Sequence, residues 1–226
     1  LGRLNSTEER AQAFKAIKEG YIDLKKALDE KGINPEHAFI DLSDLLGQLN
    51  STEERAQAFE VGIALAKKGI HPEHAFIDLS RLLGRLNSTE ERAQAFKAIK
   101  EGYIDLKKAL DEKGINPGYA FIALSDPLGR LNSTEERAQA FKAIKEGYID
   151  LKKALDEKGI NPSYAFIILS KLLGQLNPTE ERAQAFEVGI ALAKKDIHPG
   201  HAFNALSDLL GQLNPTEERA QAFEVG

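Results

Sequence analysis

Apolar residues recur along this chain at helical spacing, and the pattern itself recurs. Phe14, Ile17, Tyr21, Leu24 and Leu28 stand 3, 4, 3 and 4 residues apart, which is one apolar stripe of an amphipathic helix. The stripe stops at Gly32, with Ile33 placed to touch Leu28 across a left-handed glycine stop. Asn34 and Pro35 then open a second helix, expected to run to about Leu46 before Gly47. Pro is tolerated at a first helical residue, whose N–H has no partner inside the helix. Short connections of this kind make neighbouring helices antiparallel.

The same two-helix pattern fills the chain in units 1–45, 46–82, 83–127, 128–172 and 173–209, with a partial unit at 210–226. Each unit opens with "LGRLN" or "LGQLN", and the lengths are 45, 37, 45, 45 and 37 residues. Short units read "AFEVGIALAKKG" where long ones read "AFKAIKEGYIDLKKALDEKG". The eight extra residues amount to roughly 12 Å of helix. Because the stripe passes through Gly20 in phase, the long first helix is expected to be continuous. Its start, "NSTEE" or "NPTEE", exchanges Ser6, Ser51, Ser88 and Ser133 for Pro178 and Pro215. That exchange predicts Asn as the N-cap, Ser or Pro at the first helical position and Glu8 at the third. A Ser6 cap with Glu9 at the third position is the alternative, and it fits the Pro copies poorly.

No hairpin of this size buries its apolar face alone, so tandem copies stack. The expected fold is all-α, a right-handed α-solenoid forming one repeat array over 1–226. In hairpin layout and period the chain resembles the tetratricopeptide, pentatricopeptide and octotricopeptide classes. The Trp and Gly-Tyr positions of the tetratricopeptide consensus are not in place, so the resemblance assigns no residue a role.

Copying is nearly letter for letter except in the second helix, where "PEHAFIDLSDL" returns as "PEHAFIDLSRL", "PGYAFIALSDP", "PSYAFIILSKL" and "PGHAFNALSDL". At about 100° per residue, the changing positions 36, 37, 40, 41 and 44 span an arc of about 140°, and the fixed positions 38, 39, 42, 43 and 46 occupy a separate one. The fixed arc is a packing face, so the changing arc is expected to point away from the core. It carries Glu36, His37, Ile40, Asp41 and Asp44 in the first unit, and Glu73, His74, Ile77, Asp78 and Arg81 in the second. The third shows Gly118, Tyr119, Ile122, Ala123 and Asp126, the fourth Ser163, Tyr164, Ile167, Ile168 and Lys171, and the fifth Gly200, His201, Asn204, Ala205 and Asp208. Drift at exposed positions is the bland account. It does not explain why Lys15, Lys18, Glu19, Asp23 and Lys26, also on an exposed face, are identical among long units. Binding through the changing arc does, and its rings and isoleucines supply contact surface. Pro127, where the other units have Leu, is expected to bend or shorten its helix.

Composition narrows the chemistry. With Cys absent, disulfides, thiolate metal sites and cysteine nucleophiles are excluded. The net charge of −5 equals that of the changing positions alone, so the framework is balanced and no basic stripe for nucleic acid is present. No apolar run reaches the roughly 18 residues of a membrane span, and a soluble, intracellular chain is expected. His71 with His74 and His198 with His201 have a spacing that can ligate metal on a helix, yet His71 and His198 occupy the cap position of Asn34. The paired Glu8 and Glu9 suit a helix N-terminus better than acid–base chemistry. The "NST" copies at Asn5, Asn50, Asn87 and Asn132 match a glycosylation acceptor, but "NPT" at Asn177 and Asn214 does not, and capping explains all six, which makes the sequon a by-product. No phosphate loop or nucleophile–base arrangement appears, and neither enzyme activity nor a cofactor is expected. The expected function is recognition of a protein or peptide by the second helices. Single-stranded RNA is the alternative, with rings stacking on bases against acidic Glu36, Asp41, Asp44 and Asp78. A structural role is the third, since terminal units without polar caps suit a piece of a longer array or association through the ends.

Overall fold

In the computed structural model of the chain, the described residues are 7–124, 128, 131, 133–176 and 180–210, without the side chains of 8, 9, 180 and 210. Among them are ten helices and no strand: α1 (Thr7–Asp29), α2 (Glu36–Gln48), α3 (Thr52–Lys67), α4 (Glu73–Leu83), α5 (Thr89–Asp111), α6 (Gly118–Leu124), α7 (Thr134–Glu157), α8 (Pro162–Gln175), α9 (Glu180–Lys194) and α10 (Gly200–Leu210). Helices of odd number are the predicted first helices, and those of even number the second. The long first helix is continuous through Gly20, as its phase required. Pro127 lies outside the described residues.

The chain divides into two units, Leu1–Ile104 and Asp105–Gly226. In the first, α1 packs on α3 and α2 on α4; in the second, α7 packs on α9, while α8 lies against both α6 and α10. First helices therefore meet first helices, and second helices meet second helices.

One aromatic arrangement recurs in both units. Tyr21 meets Phe39 of its own hairpin at a ring-centroid distance of 5.1 Å and Phe59 of the next at 5.3 Å. Tyr148 meets Phe166 at 5.2 Å and Phe186 at 5.3 Å in the same way. Edge-to-face geometry of this kind adds to burial. The glycine before each tyrosine gives the next unit's ring its seat: a Cβ on Gly20 would stand 2.5 Å from the Phe59 ring, and one on Gly147 2.4 Å from Phe186. A glycine inside a helix is intrinsically costly, and here close ring approach accounts for it.

This arrangement corrects one expectation. Phe14 heads the apolar stripe, the face an amphipathic helix turns to the core, yet it is 60% exposed, whereas Phe59, Phe96, Phe141 and Phe186 are buried. In both recurrences the phenylalanine packs on the first helix of the preceding unit. No preceding helix stands beside α1 among the described residues.

The caps bring a second correction. Ser51, Ser88 and Ser133 are the caps of α3, α5 and α7, accepting the backbone N–H of Glu54, Glu91 and Glu136 at 3.1, 3.1 and 3.0 Å. The Glu91 and Glu136 carboxylates return the bond to the Ser88 and Ser133 N–H at 3.2 Å each. The cap is thus Ser with the second Glu at the third helical position, one residue beyond the Asn expectation. The Pro copies fall outside the described residues. The glycine stop is as predicted: Gly32 has φ 66°, with Ile33 N–H donating to Leu28 O at 3.0 Å and Gly32 N–H to Asp29 O at 3.0 Å.

Buried arginines tie first helices to the segments that precede them. Arg55, Arg92, Arg137 and Arg182, all from the "TEER" segment, are between 2% and 7% exposed. Arg55 donates to Leu49 O at 2.8 Å, Arg137 to Leu131 O at 3.1 Å and Arg182 to Leu176 O at 3.3 Å. The Arg55 and Arg182 guanidinium groups thus serve the carbonyls that cap α2 and α8, where their charge suits the helix dipole. Arg92 bonds Leu83 O at 2.6 Å and also grips Glu54 with two bonds of 2.6 and 3.2 Å.

Candidate functional site

The second helices start from a local device that also fixes their spacing. Asn34, Asn116 and Asn161 accept the N–H two residues on, at 3.0, 2.9 and 2.9 Å. Where His replaces Asn, the imidazole takes over the cap. His71 Nδ1 accepts Glu73 N–H at 3.3 Å and His198 Nδ1 accepts Gly200 N–H at 3.1 Å. That leaves Nε2–H to donate to the carbonyl of the preceding unit's cap residue, Asn34 at 3.1 Å and Asn161 at 3.3 Å. Both ring nitrogens of His71 and His198 are thus engaged by backbone, which is why the paired histidines do not make a ligand set.

The changing arc divides into two parts. Positions 36, 40 and 44 and their counterparts look outward. Ile40 is 55%, Ile122 47% and Ile167 40% exposed; Glu36, Asp44, Arg81, Ser163, Lys171, Asn204 and Asp208 are exposed, with Glu73 and Ile77 half-buried. Gly200 is the buried member of this part, and Asp126 falls outside the described residues.

Positions 37 and 41 flank the neighbouring second helix, and there the expectation that the whole arc points outward fails. Asp78 has 0% exposure and accepts the Tyr103 hydroxyl at 2.7 Å. Burial, reinforced by the Asp78 charge and this bond, pushes the Tyr103 hydroxyl well above its ordinary value. Ala123 is buried, and Asp41, His74, Tyr119 and Ile168 are half-buried, while His37, Tyr164, His201 and Ala205 stay exposed and look outward with the first part. Burial lowers the His74 pKa, against the raising effect of the Glu73 charge. Burial raises Asp41, and the charges of Glu73 and Asp44 add to it.

Several flank residues complement one another across adjacent helices. The Tyr164 ring lies 5.7 Å from both His198 and His201, and it occupies the space a side chain at 200 would need: a Cβ on Gly200 would meet Tyr164 Cδ1 at 2.5 Å. Tyr119 leans on Phe166 at 6.0 Å, and its carbonyl accepts the Tyr148 hydroxyl at 3.3 Å. Part of the variation is therefore neighbour matching, a cause apart from drift and from binding.

Within the second unit the helices bring together Ile122, Tyr164, Ile167, Lys171 and His201; within the first they bring together Glu36, His37, Ile40, Asp41, Asp44, Glu73 and Arg81. The former group is apolar and aromatic apart from Lys171, the latter largely acidic. No helix among the described residues is long and apolar enough to cross a membrane. Comparison of the chain with known protein families, curated proteins and solved structures finds no match.

Proposed function

We propose that the hairpins of each unit stack as right-handed α-solenoid and that the chain is a non-enzymatic recognition scaffold, tetratricopeptide-like in plan, for protein or peptide partners. The observation that carries this is the outward row of Ile122, Tyr164 and Ile167, each 40–47% exposed on second helices that pack side by side. Large apolar groups left in water in a row mark a contact surface. The acidic surface of the first unit, taken by itself, favours a basic segment.

The test is selection of peptides from a displayed library on the whole chain, followed by affinity measurement against a triple Ile122→Ala, Tyr164→Ala, Ile167→Ala variant. Loss of about 2 kcal/mol or more with unchanged helicity supports the reading, since single anchors reach that size. Tyr119 is left out of the set because it packs on Phe166. Unchanged affinity refutes the surface. Binding of single-stranded RNA with a steep salt dependence would put the RNA reading in its place.

A further inference from the structure

A second surface has a different character. Between α7 and α9 lies a groove of about 350 Å³, within the range of ligand-binding clefts. Its floor is apolar, formed by Ile144, Phe186 and Ile190, with Gly147 set low beneath the Phe186 ring. Its rim carries three exposed carboxylates, Glu146, Asp150 and Glu187. The one cationic lining group, Arg182, is 3% exposed and donates to Leu176 O at 3.3 Å. Lys142 comes no nearer to Glu146 than 4.0 Å, and both are well exposed, so water screens that pair. The negative bias is local. Beyond Asp150 and Ile190 the seam continues as a further 280 Å³ in which Lys153 and Lys194 offset Asp150 and Glu157.

The chain itself shows what a carboxylate at the Glu187 repeat position accepts. Glu60 holds the same position on α3 and takes the Lys100 ammonium at 2.6 Å. Beside it, Phe96 and Lys97 with Lys100 leave only about 90 Å³ between α3 and α5. Phe96 is the repeat counterpart of Phe186, so in that seam a ring of the wall stands beside an ammonium group held by a carboxylate. No such group meets Glu187 among the described residues.

We propose that the α7–α9 groove docks a short linear segment of another protein, in which one aromatic or aliphatic residue is flanked by one or two lysines. The apolar side chain lies on Phe186 and Ile190, and the ammonium groups reach Glu187 and either Glu146 or Asp150. Because the charge bias is confined to one pocket, a single basic pair suffices, and a polycation gains nothing further. This surface is separate from the second-helix face, so the two stand or fall independently.

The probe is a fluorescein-labelled nonapeptide, Gly-Ser-Ala-Lys-Phe-Lys-Ala-Ser-Gly, titrated with the whole chain by fluorescence anisotropy. Ala183→Trp narrows the groove from an exposed position, and Asp150→Lys with Glu187→Lys reverses its rim. Each is expected to weaken binding about tenfold or more, while Ile122→Ala with Ile167→Ala leaves it unchanged. Peptides with Glu for both Lys, or Gly for Phe, are expected not to bind. The proposal is overturned if the probe fails to bind the wild-type chain at millimolar concentration. Equal binding of the Phe-free peptide, or wild-type affinity in the rim-reversed variant with unchanged circular dichroism, also overturns it.

Discussion

Phe59 and Phe14 occupy the same repeat position and follow the same seven residues, "TEERAQA", yet one is 5% and the other 60% exposed. Changing each to Ala removes the same atoms from two environments, so the chain supplies its own control. At Phe59 the loss combines transfer of a nearly buried ring with the cavity left between Gly20 and Tyr21, about 3–5 kcal/mol for Phe→Ala in a core. The edge contact with Tyr21 at 5.3 Å lies within that figure. At Phe14 only some two-fifths of the ring is covered. Scaling a full burial of about 1.5–3 kcal/mol accordingly leaves about 1 kcal/mol. The expected gap is about 2–4 kcal/mol, read from urea midpoints by circular dichroism with both arms checked for a shared slope. Equal destabilisation would refute the reasoning, because it would mean that Phe14 is covered in solution as its counterparts are.

Four further outcomes follow from local geometry. Gly147→Ala is expected to destabilise by about 1–3 kcal/mol, since its Cβ would overlap the Phe186 ring and overpacking outweighs the gain in helix propensity. Gly47→Ala, on α2 with nothing within 4 Å, is expected to stabilise by up to about 1 kcal/mol; thermal melts of the two variants should move in opposite directions. Glu54 is held below the usual carboxylate range: burial alone would raise it, but the bonds from Arg92 and from the Asn50 and Ser51 backbone, with the Arg92 charge, prevail. A depressed folded value means stability that is present above the unfolded value, about 4.3, and lost as pH falls through the folded one. Urea titrations below pH 5 should show that slope in the wild type and a shallower one in Glu54→Gln. Asp196 ends α9 with φ 61°, where the other stops use Gly, so Asp196→Gly is expected to stabilise by about 0.5–1 kcal/mol, less the small worth of the exposed Lys158 pair at 3.1 Å. An unchanged or lower melting temperature would show that the ion pair outweighs the backbone strain.

Helix positions and stops were legible because they rest on local signals: a stripe at spacing 3 and 4, and a Gly before an apolar residue. The cap was misplaced by one residue because Asn, Ser and Pro all suit a helix start and only the geometry decides between them. Asp78 was misread for another reason. Its wheel position is shared with Asp41, Ala123, Ile168 and Ala205, and its burial depends on Tyr103 of the following unit, a partner that a pattern within one helix does not contain. The "TEER" arginines went unremarked because Arg in a first turn reads as surface. Their burial follows from carbonyls left open by the preceding helix, a tertiary fact. The one clue was that this Arg never changes among the copies. Of the changing arc, the outward positions at 40 and 44 were legible, and the flank at 37 and 41 was not, since neighbour matching such as Tyr164 over Gly200 becomes visible only when adjacent second helices are seen together.

The seat made by Gly20 for Phe59 and by Gly147 for Phe186 bears on how such a chain can change over generations. Both junctions, a long unit followed by a short one, close with the same ring on the same glycine. Deleting or duplicating whole units between matching junctions rejoins surfaces already fitted to one another, so the gene can alter its copy number without inventing an interface. A single-codon insertion between Phe14 and Gly20 is a different matter: it turns glycine and tyrosine about 100° away from their partners and loses the seat. Length variation in whole units and intolerance of small frame-preserving indels in the first helix are thus two results of one contact.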